Sequence, residues 1–485
     1  MLTTQRLRCL GAIGLCVYSL EASGQEIGAG PFYHEFRLTL AIGDRKEALG
    51  PLFNFEEQDT QQQWAVPPLF SYTKDPGVDL CEFDLLYPLF TYDRNGPEYR
   101  FQLIQLLSFS GSQNQTATNT HRATLFPIYF RQRSDDSNKN YTAVFPFYGR
   151  LQNRLFRDDI RFVAWPMYVQ TRKKDVVTHN YLYPLFHLRH GDQLAGWQMW
   201  PLLGHEHKDI TAMTNQWGET EIGGGHDKFF GPWPIFLNAK TGVGTTNQQW
   251  QQAFLPFYSF FRSPVRDSTT APWPLGFTYT DDREKKYHEW GVPWPLFVFA
   301  RGEGKTINRI WPLFSHAYND RLESVFYLWP VYKYNRLHSE PLDRERTRIL
   351  FFLYSDVVEK NTQSGMAKKR RDFWPLFTWR HDFDGNQRLQ LLAPLEPILP
   401  NNKSVERNYS PLWSIWRAEK NPKAHANSQS FFWNLYRHDS TPETKKCSLL
   451  FGLFQYESTP EVARWRLFYV PVGKKKHSSM ESSAN

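Results

Sequence analysis

A four-residue unit, aromatic–proline–aliphatic–aromatic, recurs along most of the chain and constrains the fold more than any other feature. The stretch from Trp165 to Tyr168 (WPMY) is one copy. The prolines of the copies are Pro88, Pro127, Pro146, Pro166, Pro184, Pro201, Pro234, Pro256, Pro295, Pro312, Pro330 and Pro375. From Pro127 to Pro201 the steps between successive prolines are 19, 20, 18 and 17 residues. A period near 20 residues is typical of a repeat architecture.

One repeat shows what secondary structure to expect. Ile160 to Lys173 (IRFVAWPMYVQTRK) is rich in β-branched and aromatic residues and has acidic or basic residues at both ends. This pattern predicts strand between turns, and no 3.6-residue period indicates helix. The run is apolar on both parities in its middle, which predicts a strand covered on both faces. Because proline cannot donate a ladder hydrogen bond, either one long strand bends at the proline, or the proline begins a second short strand and the unit is a hairpin.

The predicted fold class is therefore all-β, a repeat array of about 20 proline-containing strand units. An antiparallel meander that is closed or strongly curved is the first topology, since closure removes exposed sheet edges. A β-solenoid with one rung per unit and a propeller with two units per blade are the alternatives.

The domain organisation follows from the ends of the chain. Residues 1–24 read as a signal peptide, with Arg6 and Arg8 before an apolar run and small residues at the cleavage site. Residues 25–472 are predicted to form a single β-repeat domain, and residues 473–485 a disordered polar tail. These assignments predict an exported protein of the periplasm, outer membrane or extracellular space. The formal charge of +8 is modest for 485 residues, so we expect no nucleic-acid partner.

Two cysteines, Cys81 and Cys447, remain after signal cleavage. They lie near opposite ends of the array. A disulfide between them would join the first and last strands, whereas two separate buried thiols are the alternative.

Two insertions interrupt the repeat and are predicted to be solvated loops. One runs from Gly204 to Gly231, and the other, from Glu359 to Asp372, carries the basic run KKRR at 368–371. Asp384–Gly385 is interpreted as a hairpin turn rather than a calcium loop.

A histidine cluster is the weak candidate for a metal site. Its members are His187, His190, His205, His207 and His226. The His-x-x-His and His-x-His spacings suit metal ligands, but no cysteine or HExxH helix accompanies them. Exposed turn histidines explain the pattern more simply, so we expect neither a metal nor another cofactor.

Two further rows of side chains repeat with the motif. Basic residues stand seven positions after its first residue, at Arg94, Arg133, Arg172, His190, His207, Lys240, Arg262, Arg301, Arg336, His381 and Arg417. They would stack into a basic stripe in a solenoid and alternate between two rims in an antiparallel meander. A tryptophan at the same place in many repeats, as at Trp165 and Trp311, is predicted to be core.

The sequence carries no GxSxG, phosphate-cradling glycine loop or Rossmann fingerprint. The leading functional prediction is a non-catalytic, exported cell-envelope protein that acts as a scaffold or binding surface, with a polysaccharide or other envelope polymer as a partner. An outer-membrane β-barrel pore or transporter is the alternative, because export and aromatic-rich strands favour it. Prolines at mid-bilayer and the apolar centre on both parities argue against it. A carbohydrate-active enzyme is the second alternative, which two facing carboxyl groups in a cleft would favour.

Overall fold

The computed structural model describes residues 32–112, 119–214 and 220–476. The predicted signal peptide lies outside these ranges, as do residues 477–485 of the predicted tail. The last strand reaches Lys476, four residues into that predicted tail.

The described chain is almost entirely β-strand, which confirms the all-β prediction. The first half holds β1 (His34–Arg37), β2 (Gly43–Ala48), β3 (Phe53–Gln58), β4 (Gln61–Val66), β5 (Phe70–Asp75), β6 (Leu80–Leu85), β7 (Phe90–Asn95), β8 (Glu98–Leu103), β9 (Leu107–Ser112), β10 (Thr120–Leu125), β11 (Tyr129–Ser134), β12 (Tyr141–Val144), β13 (Tyr148–Arg154), β14 (Arg157–Val163), β15 (Tyr168–Lys173), β16 (Val176–Tyr181), β17 (Phe186–Gly191), β18 (Leu194–Met199), β19 (Leu203–Lys208), β20 (Thr211–Thr214), β21 (Thr220–Gly223) and β22 (Gly225–Phe230). The second half holds β23 (Phe236–Val243), β24 (Gln249–Phe254), β25 (Tyr258–Arg262), β26 (Arg266–Ala271), β27 (Phe277–Asp282), β28 (Tyr287–Gly291), β29 (Phe297–Gly302), β30 (Thr306–Ile310), β31 (Phe314–Tyr318), β32 (Leu322–Tyr327), β33 (Tyr332–Ser339), β34 (Leu342–Ile349), β35 (Tyr354–Asn361), β36 (Ala367–Phe373), β37 (Phe377–His381), β38 (Gln387–Leu391), β39 (Trp416–Asn421), β40 (Ala426–Phe431), β41 (Tyr436–Ser440), β42 (Lys445–Leu449), β43 (Phe454–Ser458), β44 (Val462–Leu467) and β45 (Val470–Lys476). Two short helices, α1 (Lys403–Asn408) and α2 (Ser410–Trp413), and two 3-10 turns, Gly50–Leu52 and Ser137–Lys139, complete the described elements.

One antiparallel meander contains 43 of these strands, and β20 and β21 form a separate hairpin. Each strand pairs with its chain neighbours, with β19 pairing β22 across the inserted hairpin. The solenoid and propeller alternatives are wrong, because the strands form one continuous antiparallel sheet. The expectation of closure is also wrong: among the described strands, β1 pairs only with β2 and β45 only with β44.

The repeat unit is two strands joined by a tight turn that contains the proline. In the repeat predicted as one strand, β14 ends at Val163, and β15 begins at Tyr168. Phe162 and Val169 are partners across the turn. The bent-strand interpretation is therefore wrong. The second interpretation correctly expects two short strands, but the proline lies in the turn between them and not at the start of the second strand. A residue without an N–H fits a turn better than a ladder position.

The meander sends alternate connections to opposite edges of the sheet. The connections that follow the even-numbered strands β2 to β18 and β22 to β44 start from one edge, the aromatic–proline edge, and most of them contain the proline. Those after β8, β34, β40, β42 and β44 are short apolar turns without proline, and the one after β38 is the longer segment 392–415. The remaining connections, such as Lys174–Asp175, lie on the opposite edge, the charged edge. Because one repeat spans two strands, equivalent residues of successive repeats share an edge.

The sheet has one polar and one aromatic face. Asn54, Ala65, Ser71 and Asp84 stand opposite one another across β3 to β6 on the polar face and are buried. Alternate positions of the same strands carry Phe55, Trp64, Tyr72 and Phe83.

The first strands of the ribbon meet the region of β40 and β41 through the polar face. Asn434 donates to Glu47 at 2.5 Å, and the Arg437 guanidinium lies 3.4 Å from the centroid of the Phe36 ring. Thr39 donates to Ser428 at 2.7 Å. The ribbon therefore curls with its polar face inside, and we call the two faces inner and outer.

The interior segment, residues 392–415, fastens this junction. Arg407 on α1 forms ion pairs with Glu82 and with Asp84 of β6. Asn408 donates to Ser71 and to Asp84 at 3.0 and 3.1 Å. Asn402 caps α1 by accepting from the Val405 amide. Small apolar clusters on the inner face, Tyr141 with Phe162 and neighbours, and Tyr287 with Val298 and neighbours, supply the rest of the core.

Candidate functional site

The aromatic–proline edge carries exposed apolar side chains along most of its length and is interrupted between β38 and β39 by the interior segment. Phe126, Phe147 and Phe257 are 58%, 70% and 62% exposed. The prediction that the repeated tryptophans form the core is wrong: Trp165, Trp200, Trp233, Trp273, Trp311 and Trp329 are all exposed, and Trp294 and Trp374 are half-buried. Exposed apolar surface on this scale is typical of contact with a partner or a membrane.

Backbone hydrogen bonds link successive turns along this edge. The Trp165 amide donates to the Pro146 carbonyl at 2.7 Å, and the Tyr183 amide donates to the Pro166 carbonyl at 2.7 Å. The same bond joins Trp329 to Pro312 at 2.8 Å. In other turns the amide of the next repeat donates to the residue after the proline, as Trp311 does to Leu296 at 2.8 Å. Successive turns are thus linked by backbone hydrogen bonds, which lowers the cost of placing these turns in an apolar environment.

In many repeats the outer face continues the apolar surface from this edge toward the middle of the strands, whereas Arg131, Arg161 and Arg371 occupy that position in others. Trp197, Trp250 and Trp290 are 47%, 40% and 46% exposed there. Edge-to-face pairs such as Trp250 with Phe260, 4.9 Å between centroids, cover the sheet laterally. The apolar centre that the sequence shows on both parities is thus partly turn and partly outer face, and the inner face of the strands is largely polar.

A row of basic side chains ends the outer face at the charged edge. Arg133, Arg172, Lys240 and Arg301 are exposed members. Arg301 donates to the carbonyls of Ala300 and Ile307 at 2.7 and 2.9 Å, which holds its guanidinium at the edge. The expectation that a meander would split these residues between two rims is wrong, because each repeat contributes two strands rather than one.

Arg417 departs from this row. It pairs in register with Gln390 and Ser430 on the inner face, where it bonds Glu419 at 2.5 Å. Arg388 and Glu406 belong to the same buried group of charges. Sequence spacing places Arg417 with the others because the interior segment interrupts the two-strand repeat just before it.

The inner face opens into polar cavities. A cavity of about 310 Å³ lies between the two ends of the ribbon, lined by Glu56, Glu82, Arg388 and Arg417 among others. A second, of about 520 Å³, lies over β6 to β10.

Asp93, which lines the second cavity, is a candidate for a catalytic carboxyl group. It stands opposite Glu82 in register, and burial, with the charges of Glu82 and Asp84, raises the pKa of Asp93. Glu82 is held in the ion pair with Arg407. This pair therefore does not supply the two free carboxyl groups that glycoside hydrolysis requires.

The five histidines of the weak metal candidate are distributed over both faces. His187 and His226 lie on the inner face, where His187 contacts Gln198 at 2.6 Å and His226 contacts Glu206 at 2.7 Å. His190, His205 and His207 lie on the outer face. Within the described ranges, no group of three or more histidine, cysteine or acidic side chains could hold a metal ion.

The remaining sequence candidates occupy ordinary structural positions. Cys81 and Cys447 are separate, unpaired thiols. Asp384–Gly385 is a hairpin turn, as predicted, with Asp382 accepting from the amides of Asp384 and Asn386 at 2.9 Å. The basic run 368–371 is not a loop but belongs to β36. The described residues of the Gly204–Gly231 insertion likewise belong mostly to the strands β19 to β22.

No protein-family model matches this chain, and no curated protein matches it. Among the described residues, no helix is long and apolar enough to cross a bilayer.

Proposed function

We propose that the protein is a non-catalytic β-sheet scaffold of the cell envelope that sits in one leaflet of a membrane. The occupant of its apolar surface is lipid: acyl chains cover the aromatic–proline edge and the outer face, and anionic headgroups meet the basic row. The carrying observation is the order of surfaces along many of the repeats, from exposed apolar turn through aromatic side chains to basic row. Arg161 and Arg371 occupy the middle position in two other repeats.

The dimensions favour a single leaflet. From Met167 in the turn to Arg172 in the row is five residues, or about 17 Å at ~3.3 Å per residue. Half of the ~30 Å hydrocarbon core is about 15 Å. Strands that cross a bilayer need about 9–11 residues, whereas the longest strands here, such as β33 and β34, have eight.

The charges favour the same arrangement. Aromatic side chains and arginines are enriched where a protein surface meets lipid headgroups. Acyl chains offer no hydrogen bonds, and lipid-exposed backbone must be paired internally. The turn-to-turn bonds of the aromatic–proline edge supply part of that pairing. The inner face then remains in water, as a binding surface for a hydrophilic partner such as an envelope polysaccharide.

Tryptophan quenching tests this proposal directly. The full chain is mixed with vesicles of phosphatidylcholine and phosphatidylglycerol, and its fluorescence is quenched either by lipids brominated on the acyl chain or by aqueous iodide. We expect bromine to quench strongly and iodide to lose access relative to the lipid-free protein. Undiminished iodide quenching together with no bromine quenching would overturn the proposal, and protection from iodide without lipid would indicate self-association through the same edge.

A further inference from the structure

A cleft on the inner face of β34 to β36 gathers more positive charge than its surroundings neutralise. Its walls include Arg344 and Arg346 from β34 and Lys368 and Arg370 from β36, and the interior segment contributes 397–401 on the far side. The cleft encloses about 190 Å³, room for about six water molecules at ~30 Å³ each.

Strand register brings these side chains to one face. Arg346 stands opposite Val357, which stands opposite Arg370. Arg344 is related to Lys368 in the same way through Glu359. Strands β34 and β36, which flank β35, lie about 10 Å apart. Two arginine side chains, one from each strand, can therefore approach each other above β35.

The acidic residues of the cleft are already committed. Glu359 pairs with Arg344 at 3.3 Å, and Asp372 pairs with Arg370 at 2.8 Å. Asp372 also accepts from Thr378 at 2.6 Å. Neither Arg346 nor Lys368 forms an ion pair with a described residue.

Arg346 is the sharpest sign of an absent partner. Its Nε is buried and has no hydrogen-bond partner among the described residues. Burial, together with the charges of Arg348 and Arg344, lowers the pKa of Arg346. A buried guanidinium nitrogen without an acceptor is unfavourable, and an anion in the cleft would remove the cost.

We propose that this cleft binds a phosphate-bearing group. Guanidinium forks match phosphate oxygens two at a time, and an ammonium at Lys368 adds a third donor group. A doubly charged phosphate monoester suits two or three converging cations better than a single carboxylate does. The volume admits the phosphate and part of the group that carries it, from either a lipid headgroup or a phosphorylated sugar.

Calorimetric titration of the full chain in detergent tests the site. The probes are inorganic phosphate, glucose 6-phosphate and water-soluble dihexanoyl phosphatidic acid. We expect at least one to bind and R346Q to weaken it about tenfold to a hundredfold, the loss of one or two charge-assisted hydrogen bonds. Preference for phosphatidic acid would identify a headgroup site, and preference for glucose 6-phosphate a sugar-phosphate site.

Arg309 provides a matched control. It lies on the inner face of β30, and its one polar contact among the described residues is a hydrogen bond to Ser315 at 3.4 Å, so R309Q makes the same charge change outside the cleft. R346Q removes an uncompensated cation and should leave the unfolding midpoint unchanged or raised, which separates lost binding from lost folding. The proposal fails if no probe binds the wild type, or if R309Q and R346Q weaken binding equally.

Discussion

Replacing Phe126, Phe147 and Phe257 with serine should sharply reduce the affinity of the protein for lipid vesicles. Their exposed fractions of 58%, 70% and 62% amount to about 1.9 fully exposed phenylalanine side chains. Burying one such side chain stabilises by about 1.5–3 kcal/mol. The triple variant should therefore lose about 3–6 kcal/mol of partitioning free energy, or about a hundredfold to ten-thousandfold in the partition coefficient.

Vesicle flotation over a wide range of lipid concentration measures this loss. The matched control is L155S/F156S, which alters the charged edge, where the two side chains are 75% and 98% exposed. These fractions amount to about 1.7 side chains, so simple hydrophobicity predicts nearly the same loss. Insertion by the aromatic–proline edge predicts almost none. Equal losses in the two variants, or no loss in the triple variant, would refute the reasoning.

Three further predictions concern the junction and the basic row. R407Q should lower the free energy of urea unfolding by about 3–5 kcal/mol, because it leaves Glu82 and the buried Asp84 unpaired. The control R336Q breaks a more exposed pair with Asp343 and should lower it by under about 1 kcal/mol. Similar losses in the two variants would contradict the role assigned to the interior segment. Burial and the charges of Arg437 and Lys446 lower the pKa of His34 to about 3, so its contribution to stability is complete above the ordinary pKa and is lost as pH falls from 6.5 toward 3. Between pH 6.5 and 5 the free energy of unfolding should fall by up to about 2 kcal/mol. H34Q should reduce this pH dependence, and an unchanged dependence in H34Q would show that His34 does not cause it. R172Q/K240Q should weaken binding to phosphatidylglycerol vesicles about thirtyfold, at about 1 kcal/mol per basic residue, and leave binding to pure phosphatidylcholine unchanged; a loss on both lipids would argue against headgroup contact.

Periodicity alone was enough to predict a β-repeat, but not the number of strands in it. The run around Trp165 is apolar on both parities because it includes a turn as well as two strand ends, and parity has meaning only within one strand. For the same reason, the sequence pattern wrongly predicts that the tryptophans form the core. Only the structure shows that these tryptophans lie in turns and are exposed.

Other features depend on contacts that local sequence does not encode. Asn408 meets Ser71 across 337 residues of chain, and no pattern near either residue indicates the other. The basic run at 368–371 resembles a solvated loop, yet β36 sends Lys368 and Arg370 to the inner face and the two residues between and after them outward. Charge in a strand becomes informative only when the neighbouring strands are known.

The two-strand repeat also limits how such a chain can change its length. Gain or loss of one complete repeat, about 20 residues, preserves the direction of every later strand. Loss of a single strand would reverse all that follow, sending their proline turns to the charged edge and their basic residues among the tryptophans. Relatives of different size should therefore differ by even numbers of strands, and the ribbon can lengthen its enclosed perimeter by duplication without redesigning either edge.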